Sequence, residues 1–187
     1  MIARRALLAV AVMASLSACS QFPARDANEP TPTPPAGELV LQGQLSVKLQ
    51  AFQDQPAKGI SLGFFFNGGP QHGQLDLMTP LGSQVARVRW TSSDAWLQTD
   101  QGDRHFNSLD ELSRQVLGEP LPLAALMQWV QGRPDADLPP ATTTSPQSFE
   151  QIGWHIDTTN IGVGKLNAER PPGAALRGVT VRIRLDR

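Results

Sequence analysis

Residues 39–49 read LVLQGQLSVKL, and this stretch decides the fold. Its apolar residues hold the odd positions, interrupted once at Gly43, and polar residues hold the even positions from Gln42 to Lys48. A period of two places the two sets on opposite faces of a β-strand. One face then packs on a core while the other meets water, which is typical of an antiparallel sheet. We therefore expect a half-buried antiparallel strand here.

The alternation returns further along the chain, between segments rich in turn-forming residues. Residues 67–70 (NGGP) and 100–103 (DQGD) are turn sequences of this kind. Strands are expected at residues 60–66, 74–78, 85–90 and 95–98, then through Ile152, Trp154 and Ile156, and finally from Leu176 through Val179 to Leu185.

Between these two groups of strands the period changes to that of a helix. Ser108 and Glu111 match a capping box, and the helix that they open is expected to end before Gly118. A second helix is expected to start at residues 119–122 (EPLP) and to end before residues 133–147, which are expected to be a loop. Its apolar face falls at i, i+3, i+4 and i+7, on Leu123, Leu126, Met127 and Val130.

The order of elements predicts a mostly β protein of the α+β class, an antiparallel sheet with a helical insertion. A curved sheet with the helices across its concave face would enclose an apolar space. A filled core satisfies the same periodicity, so the pattern leaves both arrangements open. Residues 38–187 are long enough to form one domain with its own core.

The N-terminus has the pattern of a secretory leader. Arg4 and Arg5 precede a short apolar run, residues 6–16, and the small residues Ser17 and Ala18 follow. The run is too short to span a bilayer, which takes about 20 apolar residues. Residues 1–18 are therefore predicted to be a signal peptide.

Cys19 is the one cysteine of the chain and follows this leader directly. The sequence LSAC at residues 16–19 resembles the lipobox of bacterial lipoproteins, in which the cysteine receives lipid and becomes the new N-terminus. Each buried CH₂ contributes about 0.8 kcal/mol, so a triacylated Cys19 would hold the protein at a membrane. Residues 19–37 are predicted to be this cysteine and a linker with five prolines, which favours extended polyproline II. Ser20 is permissive for the outer membrane in lipoproteins of this type.

Charge and motifs exclude several classes of function. Without the two arginines of the leader, the chain has 14 basic and 17 acidic residues, so its net charge is negative. A negative net charge argues against binding of nucleic acid. The histidines at positions 72, 105 and 155 are isolated, with no spacing typical of metal ligands. The sequence holds neither a nucleophile elbow nor a phosphate-binding loop. We therefore expect no enzyme activity, no metal and no cofactor.

A turn between two predicted strands carries a leucine where a polar residue would be usual. Pro80 presets the second position of a tight turn, and Gly82 suits its end, so Leu81 is expected at the tip. A single leucine in a loop is common, and on these residues alone Leu81 remains only a candidate functional residue.

The sequence from about residue 39 onward resembles the LolB family of outer-membrane lipoproteins, which receive other lipoproteins. The resemblance lies in the order of several short motifs behind the lipobox: residues 64–66 (FFF), 78–83 (MTPLGS), 117–123 (LGEPLPL), 128–132 (QWVQG) and 151–154 (QIGW). It implies an incomplete, curved antiparallel β-barrel covered by a helical insertion, with an apolar cavity between them. It also implies that Leu81, in the Pro80-Leu81-Gly82 loop, helps to deliver cargo into the membrane.

The alternation of residues along each strand (its parity, odd or even) and the spacing along the helix suggest which apolar residues line such a cavity. The candidates are Leu45, Val47, Phe64, Phe66, Leu75, Leu77, Leu123, Leu126, Met127 and Val130.

The implied partners are acylated lipoproteins, a soluble periplasmic carrier that brings them, and the inner leaflet of the outer membrane. The protein would act as a monomer, lipid-anchored and facing the periplasm. Acyl chains would move downhill from the carrier into the cavity and on into the bilayer. One alternative is a structural or assembly lipoprotein of the envelope that binds a protein partner and has a filled core. The other is a hydrolase, which the missing nucleophile–base pair disfavours.

Overall fold

The structure is a computed structural model, and it describes residues 38–186. The predicted signal peptide, Cys19 and the linker to residue 37 lie outside the described residues. Within residues 38–186, no helix is long and apolar enough to cross a membrane.

Eleven strands, two α-helices and a short 3₁₀ helix make up the described part of the chain. In chain order they are β1 (Leu39–Leu49), β2 (Lys58–Gly68), β3 (Gly73–Met78), β4 (Gln84–Trp90), β5 (Ala95–Thr99), β6 (Gly102–Phe106), α1 (Leu109–Leu117), α2 (Leu123–Trp129), β7 (Thr142–Ser145), β8 (Ser148–Gln151), β9 (Trp154–Asp157), the 3₁₀ helix (Ile161–Val163), β10 (Lys165–Arg170) and β11 (Val179–Leu185).

All described strands form one antiparallel sheet, in the order β6-β5-β4-β3-β2-β1-β11-β10-β9-β8-β7. The sheet does not close, because its edge strands β6 and β7 are not paired with each other. Helices α1 and α2 lie between these two edge strands along the chain. The mostly β class, with antiparallel strands and a helical insertion, is therefore confirmed.

Strand β1 sits at the centre of the sheet and has the bounds that its alternation predicts. It pairs with β2 on one side and with β11, the last strand of the chain, on the other. Gly43 is required at the interruption of the pattern, because a Cβ atom there would lie 2.0 Å from the backbone oxygen of Arg184. Close approach of two backbones is one reason for glycine inside a strand.

Several local predictions were wrong. Strands β6, β8 and β10 were not expected, and β7 lies inside the segment predicted to be a loop. Ile152 was assigned to a strand but lies in the turn between β8 and β9, and Leu176 lies in the loop before β11. Strands β6 and β7 carry few apolar residues on the core side, so alternation gives no signal for them.

The second helix starts later than expected. It begins at Leu123, and the predicted start at residues 119–122 belongs to the connection from α1. Half of the capping box of α1 is confirmed, since the amide of Glu111 donates to the Ser108 hydroxyl at 3.1 Å. The Glu111 carboxylate accepts from the backbone amide of Asn107, one residue before the cap, at 2.8 Å.

The apolar face of the sheet packs into two core clusters, and the helices contribute to both. The first cluster contains Val47, Leu126, Trp129 and Val130, with apolar residues of β8 to β11. The second contains Phe64, Phe66 and Met127, with apolar residues of β4 to β6. Leu41, Leu45, Ile183 and Leu185 pack against both clusters, so the clusters meet along β1 and β11.

Candidate functional site

An apolar pocket of about 70 Å³ lies where the two core clusters meet under the helices. Every side chain that lines it belongs to an apolar or aromatic residue. The lining residues are Leu41, Leu45, Phe64, Phe66, Leu75, Val88, Trp90, Leu109, Leu123, Leu126, Met127, Val130 and Ile183. The indole N–H of Trp90 is already satisfied, because it donates to the backbone oxygen of Gly69 at 3.1 Å. The pocket therefore offers hydrocarbon contact and no free polar group.

The structure brings eight of the ten predicted lining residues together in this pocket. Val47 and Leu77 are not among its lining residues: Val47 is buried in the first cluster, and Leu77 packs against the second. Sequence reasoning missed Leu41, Val88, Trp90 and Ile183 on the strands and Leu109 on α1. The four strand residues share the apolar parity of their strands, so the same alternation could have found them.

Helix α2 is fixed to the sheet by a buried amide. The indole of Trp129 donates to the side-chain oxygen of Gln151 at 2.9 Å. The same oxygen accepts from the amide of Asp135, and the side-chain nitrogen of Gln151 donates to the backbone oxygens of Asp135 and Pro139. Because every polar atom of the Gln151 side chain is paired, the end of α2, the following loop and β8 form one unit.

The loop between β3 and β4 presents Leu81 to solvent, with 95% of its surface exposed. The amide of Gly82 donates to the oxygen of Thr79 at 2.9 Å, and the amide of Thr79 donates to the oxygen of Ser83 at 2.8 Å. Gly82 has φ of 86°, the left-handed conformation that a three-residue hairpin loop needs at its last position. Leu81 is thus held at the tip of a short, hydrogen-bonded loop.

Comparison with known proteins identifies the family. The family model described as "Outer membrane lipoprotein LolB" matches residues 38–186. The chain belongs to the LolB family. Among its relatives, each named outer-membrane lipoprotein LolB, that of Bordetella petrii is 32% identical over 80% of this chain and 75% of its own length. The relative in Chromobacterium violaceum is 31% identical, over 83% of this chain and 82% of its own length. The one in Ralstonia nicotianae is 29% identical over 97% and 95%.

Membership of the LolB family confirms the predicted function and location. The protein is an outer-membrane lipoprotein receptor of the lipoprotein-localisation pathway, lipid-anchored and facing the periplasm. The family is one of lipoprotein-trafficking receptors and not a known enzyme family. Within residues 38–186, no group of His, Cys, Asp and Glu side chains is placed to hold a metal ion.

A buried charge network holds the connection between α1 and α2 in this LolB-family domain. One carboxylate oxygen of Glu119 accepts from the guanidinium of Arg170, and the other accepts from the backbone amide of Arg177 at 3.3 Å. The guanidinium of Arg177 donates to the side-chain oxygen of Gln55 and to backbone oxygens of residues 50 and 56. Residues 119, 170 and 177 are all buried, so the network pins the connection to the sheet.

Proposed function

We propose that the apolar pocket under the helices receives the acyl chains of lipoproteins that a soluble periplasmic carrier delivers. The wholly apolar lining carries this proposal, because hydrocarbon would gain contact there without leaving a polar group of the lining unpaired. The Leu81 loop then passes the chains into the inner leaflet of the outer membrane. The protein acts as a monomer in both steps.

The pocket must enlarge before it can hold a chain. At about 70 Å³ it is well below the ~300–1,000 Å³ typical of pockets for small organic ligands. Its walls are core side chains of the sheet on one side and residues of both helices on the other. Displacement of a helix is therefore the way to make room.

The movable cover is α1, and α2 stays in place. Helix α1 buries only Leu112 and Ser113, whereas α2 buries four residues, among them the fully enclosed Trp129. The network around Glu119 holds the connection between the helices. Elements with few buried apolar contacts open at the lowest free energy. Helix α1 is therefore displaced from the sheet, while α2 continues to line the pocket.

Partial burial sets the direction of transfer. Each CH₂ withdrawn from water contributes about 0.8 kcal/mol, and a bilayer surrounds a chain completely. A pocket that opens by displacing α1 leaves part of each chain in contact with water. The pocket then binds cargo less tightly than the membrane does, so release into the bilayer runs downhill.

Trp90 provides a direct test, because it lines the pocket while the other three tryptophans do not. We expect a brominated acyl chain on a triacylated lipopeptide to quench the fluorescence of the protein. Trp90→Phe should abolish most of this quenching. Trp96→Phe is the matched control, because Trp96 lies on the opposite face of the sheet and is 37% exposed.

Two outcomes would contradict the proposal. Quenching that is unchanged in Trp90→Phe would place the chain elsewhere on the protein. Lipopeptide that fails to bind at all would show that the core stays closed and that no acyl chain enters.

A further inference from the structure

One end of the sheet carries three exposed aliphatic side chains at the tips of its connections. Leu81 lies between β3 and β4, Ile152 between β8 and β9, and Leu176 between β10 and β11. Their exposed fractions are 95%, 43% and 41%.

The strand register shows that these connections share one end. Met78, the last residue of β3, pairs with Gly63, which pairs with Gln44 in the middle of β1, so the Leu81 loop projects in the direction in which β1 runs. On the other side of β1, the strand register can be followed through β11 and β10 to β9. It places His155 of β9 level with Lys48 of β1. The turn that holds Ile152 therefore lies beyond the level of Lys48, in that same direction.

Ile152 occupies a backbone conformation that disfavours its own side chain. The turn between Gln151 and Trp154 has two residues, and both have positive φ: 47° at Ile152 and 77° at Gly153. This is the pattern of a type I′ turn, for which Asn-Gly is the preferred pair. A β-branched residue at positive φ is strained, and this one is also exposed to water. Asparagine would relieve both penalties, and strain that persists at such a site points to a use.

The connections at the opposite end expose one large aliphatic side chain. Residues 69–72 (GPQH) and residues 91–94 (TSSD) carry no large aliphatic side chain. Val163, beside the start of β10, is the exception, with 61% of its surface exposed. Exposed aliphatic tips are therefore concentrated at the end that carries Leu81.

We propose that Ile152 is a second membrane-contacting residue, which enters the lipid bilayer together with Leu81. This inference rests on the proposed membrane role of the Leu81 loop and extends it. Single aliphatic tips on separate turns suit a fluid apolar phase, because lipid chains fill in around each of them. A protein partner would instead need a separate pocket for every tip. Contact at two turns fixes the tilt of the domain on the bilayer, which contact at one loop leaves free.

The first experiment places a polarity-sensitive fluorophore on a single introduced cysteine. Ile152→Cys, Leu81→Cys and Val163→Cys are prepared in the acylated full-length protein and bound to vesicles of phosphatidylethanolamine and phosphatidylglycerol. We expect emission typical of lipid at positions 152 and 81 and of water at position 163. A label in water at 152 with a label in lipid at 81 would overturn this inference alone. Labels in water at both positions would also remove the membrane role of Leu81.

The second experiment separates membrane contact from folding. Ile152→Asn creates the preferred Asn-Gly turn, so its melting temperature should equal or exceed that of the wild type. Delivery of lipoprotein into vesicles should fall about five-fold. This is the factor expected when the exposed part of the isoleucine, roughly two-fifths of its surface, can no longer be buried in lipid. Val163→Asn, the matched control at the opposite end, should deliver at the wild-type rate. Wild-type delivery by Ile152→Asn would overturn the inference.

Discussion

Replacement of Leu81 by glutamate isolates the step at which cargo leaves the protein. Leu81 is 95% exposed and sits outside both core clusters, so the change removes almost no contact within the domain. The hydrogen bonds of the loop involve Thr79, Gly82 and Ser83 and use no atom of the leucine side chain. The variant should therefore keep its fold and its pocket.

The expected magnitudes differ sharply between folding and delivery. An exposed substitution of this kind changes the free energy of unfolding by about 0.5 kcal/mol or less. Burial of a leucine side chain contributes about 1.5–3 kcal/mol, and a carboxylate at that place adds a cost of desolvation or protonation. A total loss of roughly 3 kcal/mol slows insertion by about 100-fold.

The assay measures the two transfers separately: from the carrier to the vesicle-anchored protein, and from the soluble Cys19→Ala protein to liposomes. Leu81→Glu should accept cargo at the wild-type rate and release it about 100-fold more slowly. Leu81→Phe keeps an apolar tip and should release cargo normally. Val163→Glu places the same charge at the opposite end and controls for general repulsion from anionic lipid. Unchanged membrane delivery by Leu81→Glu would refute the role of the loop.

Three further outcomes follow from buried or capping groups. Glu119→Gln removes the one carboxylate that faces the buried guanidinium of Arg170, and should lower the free energy of unfolding by about 3–5 kcal/mol in denaturant titration. Gly43→Ala should give little folded protein on circular dichroism, because its Cβ would collide with the backbone of Arg184, which cannot move out of the sheet. The pKa of Glu111 is lowered, chiefly by the hydrogen bond from the backbone amide of residue 107. That cap therefore stabilises α1 above the ordinary carboxyl pKa and is lost as pH falls through the lowered value, which faster hydrogen exchange in α1 at acid pH should reveal.

Side-chain parity made much of the fold predictable. The alternation in residues 39–49 predicts β1 with its bounds, and the capping pair Ser108 and Glu111 predicts the start of α1. These signals are local, because one strand face or one helical turn fixes the pattern over a few residues. Strands β6 and β7 were not predicted, because each lies at an edge of the sheet and has too few apolar residues to show an alternating pattern.

The candidate site was predictable in its chemistry and not in its position. Eight of the ten expected lining residues share the pocket, but Val47 lies in the neighbouring core although it has the same parity as Leu45. Parity selects a face and says nothing about which part of that face the helices leave unfilled. Glu119 was assigned to a helix start because the EPLP sequence suits one, and its buried partners stand about fifty positions or more away in the chain.

The sequence by itself determined the strand pattern, the helical insertion, the tip position of Leu81 and the family. The first three depend on residues close together in the chain, whose preferences act before any tertiary contact forms, and the family depends on the order of several short motifs along the chain. Only the tertiary structure decided where the two core clusters meet, that α2 is anchored through Gln151 while α1 is not, and that Ile152 lies at the same end as Leu81. Those facts depend on the register of strands far apart in sequence, and register is fixed by packing of the whole sheet.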